Sequence, residues 1–327
     1  MTTYYMDTAG SNTSPYDTWA KAAASLQTVA DTATAGDIVY CRGTQTLAAP
    51  IDFDTNAGTT ALGYIKFIGC DASGVANADQ FTLDGNGSAS HCTAWTSVAA
   101  YVWIENFTFT GATGSGLYRN GSQPQGVALI DCIIESNAGI GIGDYFYDAL
   151  YYRCIIRNNS GDGVHASYLN NLYVFCWIYN NGGLGVDSHT NYWGQAFIGC
   201  VFASNASHQL ELPMNCIAFN CVVDGEGDGT SGHGIDMIDG FARVFGCRIT
   251  HNDGSGMYGL HASSKLATED WNAYFDNDSD IDADVEQIGN SDTTLADDGY
   301  VNRATQDYNV ATGKDIRSEA VNLNWDV

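Results

Sequence analysis

The sequence predicts an all-β solenoid, a chain wound coil upon coil, and three observations predict it. Six stretches are variants of one another: Cys132-IIESNAGIGI, Cys154-IIRNNSGDGV, Cys176-WIYNNGGLGV, Cys200-VFASNASHQL, Cys221-VVDGEGDGTSGHGI and Cys247-RITHNDGSGM. Their cysteines recur at intervals of 22, 22, 24, 21 and 26 residues. Each unit carries two short apolar runs around a polar Asn/Gly turn, with no helical period. One such unit cannot bury its own apolar face; stacked on its neighbours it can.

A coil of this length matches the right-handed parallel β-helix. The Cys-Φ-Φ-x-x-Asn-x-x-Gly-Φ runs (Φ apolar) resemble the pectin-lyase-like superfamily over roughly Gly36 to Met257. Two weaker coils precede them, at IKFIGC, which ends in Cys70, and at WIENFTF, where Phe107 takes the cysteine's place. Eight coils are expected from Cys70 to Cys247, a stack about 40 Å tall at about 4.8 Å per coil.

Within each short strand side chains alternate in and out. Cys132, Cys154, Cys176, Cys200, Cys221 and Cys247 are expected to point inward, two residues before Ile134, Ile156, Ile178, Phe202, Val223 and Ile249. Three residues before each cysteine stands a second inward set: Leu129, Tyr151, Tyr173, Phe197, Ala218 and Val244. Five residues after it comes Asn137, Asn159, Asn181, Asn205 or Asn252, with Glu226 the exception. Asparagine in such a ladder bonds to its copies and tolerates the turn.

The first 35 residues read as a strand and a capping helix. Asp17 is a candidate N-cap for a helix near Thr18 to Ala30, with Trp19, Ala22, Ala23, Leu26 and Val29 on one face. Such a helix would cover the open apolar end of the stack, as repeat arrays require. Residues 36–261 are assigned to the coils. Residues 262–327, polar, acidic and aromatic, read as an irregular last coil and an arm rather than a second domain.

Composition narrows the partners. The net charge is −26, from 12 Lys and Arg against 38 Asp and Glu. A surface this acidic repels nucleic acid and anionic membranes, and acidic polysaccharides too unless a cation such as Ca²⁺ intervenes. No cofactor is required by any motif. No apolar run is long enough to span a bilayer, and residues 1–20 show neither the basic nor the apolar region of a signal peptide. The ten cysteines form a ladder of side-by-side positions with no CxxC, so buried free thiols are expected rather than disulfides or zinc. Cys216 stands off the ladder.

The chemistry-bearing pattern lies after the turn. Leu117, Ile142, Val164, Val186, Leu210, Ile235 and Met257 start a new strand in each coil, and the residue after each should face outward: Tyr118, Gly143, His165, Asp187, Glu211, Asp236 and Tyr258. His165, Asp187, Glu211 and Asp236 thus stack in one column, with His189 on the same face. Carboxylates one coil apart would stand about 5 Å apart, near the retaining-glycosidase separation, and two coils apart about 9.6 Å, near the inverting one. Stacked like charges also raise one another's pKa. These residues are candidate catalytic groups, and Asp187, Glu211 and Asp236 are also a candidate Ca²⁺ set. The bland alternative is a solvated acidic stripe. Gly232-His233-Gly234 resembles the Gly-His-Gly of polygalacturonases, but that family's other motifs are missing and Gly-x-Gly recurs in the turn slot. Asp276, Asp278, Asp280, Asp282 and Asp284 resemble a Ca²⁺ loop without its Gly and terminal Glu; a solvated loop is the alternative.

A second outer column, Ile133, Ile155, Trp177, Val201 and Val222, is apolar and is followed by Arg248. Monomers seldom expose such a stripe; the chain itself or a homotrimer interface should cover it. Two functions remain open. The Cys-ladder coils, the YY…GDIVY opening and the DDGYVNRATQDYNV tail resemble β-helix proteins of phages and environmental bacteria, which implies a structural or adhesive virion protein, capsid decoration or tail fibre, able to bind glycans. The alternative is an extracellular polysaccharide lyase or glycoside hydrolase working through the carboxylate column.

Overall fold

The computed structural model describes residues 1–53, 55–95, 101–119, 121, 124–144, 146–166, 170–188, 194–225, 232–238, 241–252, 258–262, 268–283, 285–287, 292–295, 300–302 and 307–310. The chain is an all-β parallel solenoid with almost no helix. It divides into two compact units, Met1–Asn171 and Leu172–Val327.

In the first unit each coil contributes to three parallel ladders. One runs from Thr3–Asp7 through Ile65–Cys70 to Leu150–Tyr152, the second from Thr44–Thr46 to Ile155–Arg157, and the third from Ile51–Asp52 to Val164–Ala166. Register is in phase with the apolar pattern: Phe67 pairs with Ile104, Ile104 with Leu129 and Leu129 with Tyr151. All four are at most 1 % exposed, so each fully buried side chain contributes about 1.5–3 kcal/mol of apolar burial.

The second unit repeats the plan. Tyr173 pairs with Phe197, and their rings stack 4.7 Å apart. Phe202, Val223, Ile249 and Tyr274 follow one another inward in the second ladder. The ladders run beyond the last cysteine. Thr268–Asp270, Ala273–Phe275 and Ser279–Ile281 complete a further coil in which Asn272 replaces the cysteine and donates no thiol, its Oδ1 accepting the Cys247 N–H at 2.8 Å. Two more short strands, Glu286–Gln287 and Thr293–Thr294, extend two of the ladders.

All ten cysteines are free and buried, as the ladder predicted. The residue before a ladder cysteine is left-handed in coil after coil: Asp131, Arg153, Phe175 and Asn220 have φ between 52° and 56°, and Gly199 and Gly246 take the same slot. This corner turns the chain between ladders, and the thiol closes it. Cys154 Sγ contacts Tyr152 O at 3.7 Å and Cys221 Sγ contacts Phe219 O at 3.5 Å, weak bonds to the carbonyl two residues back. The asparagine ladder is also present. Asn137 Nδ2 donates to Asn159 Oδ1 at 3.0 Å, and Asn181 Nδ2 to Asn205 Oδ1 at 2.9 Å. Glu226 lies outside the described residues.

The single helix expected from Thr18 to Ala30 is not formed. A 3-10 turn, Trp19–Lys21, and a short α-helix, Leu26–Ala30, flank an extended segment. Asp17 caps neither and pairs with Lys21 instead. The cause is the open edge of the first strand. Ala23 donates its N–H to Tyr5 O and its carbonyl accepts from Asp7 N, both at 2.9 Å. Satisfying a bare strand edge outweighs the helix propensity of the alanine run. The predicted burial holds for Ala22, Ala23, Leu26 and Val29, all 0 % exposed, but not for Trp19, which lies under the Arg42 guanidinium.

The outer apolar column is present too. In the first unit Ile133 and Ile155 are in register and partly exposed. In the second Trp177 is partly exposed, whereas Val201 and Val222 are buried within the single chain at 6 % and 4 %. Among the described residues no helix is long and apolar enough to cross a membrane.

Candidate active site

The third ladder of the second unit carries the carboxylate column. Leu210, Ile235 and Leu260 point inward and are 0 % exposed. Period 2 then turns their successors outward: Glu211 pairs with Asp236, and Asp236 with His261. Asp187 stands at the end of the preceding strand of this face, Val186–Asp187, partly exposed. His165 is placed outward as predicted, in register with Gly143, in the first unit. His189 lies outside the described residues.

One expected member is replaced. The repeat spacing puts Tyr258 in the column after Met257; instead Leu260 is the inward residue and His261 takes the outward place. Cys247 to Leu260 spans 13 residues where Cys200 to Leu210 spans 10, and the apolar residue that reaches the core sets the register. Tyr258 falls three positions earlier, in the slot that His208 and His233 fill in the coils before.

That slot, an ordinary polar turn by its sequence, holds further residues of the site. The His208 and His233 rings stack with centroids 5.0 Å apart and an 11° interplanar angle; His233 and His261 stack at 4.1 Å and 9°. His208 Nδ1 accepts the His233 N–H at 2.7 Å, and His233 Nδ1 accepts the Tyr258 N–H at 3.0 Å. A backbone amide can only donate, so each ring holds its own proton on Nε2. Asp236 is 8 % exposed. Its Oδ1 lies 2.7 Å from His261 Nδ1, and its Oδ2 lies 3.9 Å from His208 Nε2. His261 Nε2 reaches Asp282 Oδ2 at 3.3 Å. The signal for these residues was a histidine three positions before a carboxylate in successive coils: His208-x-x-Glu211 and His233-x-x-Asp236.

The electrostatics separate the groups. Glu211 is pushed up to about 8, chiefly by burial and further by the charges of Asp187 and Asp236, against the pull of the Ser188 N–H that its Oε2 accepts at 3.1 Å. Burial also holds His208 below the ordinary imidazole value, and takes His233, with its neighbours His261 and His208, down to about 4. Near neutral pH the site thus presents a protonated carboxyl and two neutral imidazoles.

His208, Glu211 and Asp236 each bring one potential ligand atom within 4.8 Å of the others. As arranged, His208 does not offer its Nε2 lone pair to a metal ion: its Nδ1 accepts the His233 N–H, so the neutral ring carries its proton on Nε2, and Asp236 Oδ1 faces His261. Of the Asp276–Asp284 run, Asp280 accepts from Asn277 and Asp282 faces His261, while Asp284 lies outside the described residues.

No protein-family model matches the sequence, and no curated protein matches it either. Solved structures do match the fold. Pectate lyase Pel9A superposes with a TM-score of 0.59 at 14 % identity, covering 93 % of this chain and 84 % of that one. The A-module of the Azotobacter vinelandii mannuronan C-5 epimerase AlgE4 gives 0.53 at 14 %, covering 90 % and 89 %. XylC, solved in complex with xylose, gives 0.55 at 8 %, covering 86 % and 70 %. The chain therefore has the parallel β-helix fold that these proteins share.

Proposed function

We infer that this chain is a glycan-processing enzyme whose acid–base pair is Glu211 and Asp236. The carrying observation is the contrast between two carboxyls in adjacent coils. Glu211, buried and pushed up to about 8, keeps its proton near neutral pH; Asp236 is flanked by the imidazoles of His261 and His208. A carboxyl that keeps its proton beside a second, imidazole-flanked carboxyl is suited to act as the acid, with that neighbour as its partner. Glu211 protonates the leaving oxygen, and Asp236 acts on the anomeric carbon or on the attacking water. The approach of the two groups to within 4.8 Å fits the shorter separation of retaining hydrolases. Carbohydrate as the substrate class draws support from the named neighbours, which act on pectate, act on mannuronan, or hold xylose.

The test is an assay for new reducing ends and for unsaturated sugars across neutral and acidic polysaccharides, with and without Ca²⁺. Cleavage reduced at least about 100-fold in Glu211→Gln supports the assignment. Cleavage that survives in both Glu211→Gln and Asp236→Asn overturns it.

A second reading, a structural or adhesive virion protein, is favoured by the partly exposed, in-register Ile133 and Ile155 of the first unit, an apolar start for a homotrimer contact. A stable trimer with no turnover on any glycan would select it.

A further inference from the structure

The site holds a donor and an acceptor too far apart to satisfy each other. His208 Nε2 lies 3.9 Å from Asp236 Oδ2, beyond hydrogen-bond reach. The proton sits on that nitrogen because the main chain fixes it there: His208 Nδ1 accepts the His233 N–H at 2.7 Å, and a neutral imidazole has one N–H. Asp236 Oδ1 already faces His261 Nδ1 at 2.7 Å, so Oδ2 is the oxygen turned to His208. One hydroxyl fits such a pair. Its oxygen accepts from the imidazole, and its hydrogen goes to the carboxylate, at about 2.8 Å on either side.

A uronate carboxylate does not fit the same place. It has no hydrogen to give Asp236 Oδ2, and it would add charge to a face that already carries Asp187, Asp236 and Asp282. Among the described residues, the strands of this face in the second unit contain no Lys or Arg to offset it. The whole chain carries −26, so long-range steering disfavours a polyanion as well.

We propose that the site takes a neutral, hydroxyl-bearing sugar, one hydroxyl of which bridges His208 Nε2 and Asp236 Oδ2, and that it does not take a uronate. This rests on the reading of the face as a glycan site, and it separates this chain from the lyase and epimerase whose fold it shares. His208 is then a substrate-binding donor whose direction the next coil's amide sets.

The test is calorimetric titration of the full-length Glu211→Gln chain, which keeps bound sugar intact, with cello-, xylo- and manno-oligosaccharides and with oligomannuronate and oligogalacturonate, in EDTA and in Ca²⁺. A neutral oligosaccharide should bind in EDTA. Adding His208→Ala should weaken it about tenfold, the loss of one hydrogen bond, and His208→Gln, whose amide N–H reaches the same place, should recover most of it. Binding confined to oligouronates, binding that needs Ca²⁺, no binding of any neutral sugar, or indifference to His208→Ala overturns the proposal. If His208→Ala does not fold, the nitrogen spectrum of His208 decides: an Nε2–H tautomer supports the bridge, an Nδ1–H tautomer overturns it. Wild-type cleavage of a uronate polymer would keep the enzyme and remove this proposal; a bound neutral sugar with no turnover by the wild type would do the reverse.

Discussion

Glu211 shows how a single side chain sets both the chemistry and a weakness of the fold. Its carboxyl titrates near 8 in the folded chain against an ordinary 4.5, so the native state holds the proton more tightly than the unfolded one. Stability is therefore undiminished below the ordinary value, falls as pH rises between the two, and stays reduced above about 8. Glu211→Gln removes the titration. Thermal unfolding should give similar melting temperatures for both proteins near pH 4, and a higher one for the variant at pH 9, by roughly 2–4 °C for each kcal/mol regained. Equal melting at both pH values would show that Glu211 is solvated. At this scale the sequence was half legible. Asp187, Glu211 and Asp236 recur at one place in the repeat and were readable as a column. His208 and His233 were not, because they sit where the repeat tolerates any polar turn residue. His261 was hidden by a coil that lengthens before it.

Among the elements, the asparagine ladder is the most exacting. Asn205 Oδ1 accepts both the backbone N–H and the side-chain amide of Asn181, at 3.1 and 2.9 Å. Its own amide donates to Ile178 O and Gln209 Oε1 at 3.0 and 2.9 Å. Asn205→Ala leaves these buried partners without it, at about 1–3 kcal/mol for each orphaned group. Chemical denaturation should show a loss of about 3 kcal/mol or more, far above the cost of an exposed Asn→Ala change. Gln209 is an unforeseen substitute: it fills, from within the same coil, the place that the next coil's asparagine would take, since Glu226 stands in that slot of the repeat. The N-terminal segment teaches a different lesson. Its apolar pattern correctly gave four of five residues as buried, Trp19 being the exception. It could not give their backbone, because Ala22, Ala23, Leu26 and Val29 are equally well buried by a broken helix whose middle pairs with the strand Thr3–Asp7.

Across the whole chain, the inward ladder was the most legible feature, because every coil must solve the same packing problem at the same positions. Cys132 to Cys247 are spaced by whole coils, and all ten thiols are free and buried. Burial pushes Cys41 and Cys132 well above the ordinary thiol value, so neither access nor thiolate is available to a reagent. A disulfide-exchange reagent should label essentially no cysteine in the native protein and all ten after unfolding in guanidinium, on the timescale of unfolding. Rapid native labelling of several thiols would mean that the coils open far more easily than their packing implies.

The imidazole–amide contacts have a spectroscopic consequence. The His233 and Tyr258 amide protons point at ring nitrogens one coil away, and each of those nitrogens becomes a donor itself when its ring gains a second proton. Acidification through about 4, where His233 titrates, therefore sets two donors against each other at Tyr258 N–H. The main chain beside the site thus carries native reporters: two amide resonances whose shift and exchange rate read out the protonation of His208 and His233 without any label or ligand.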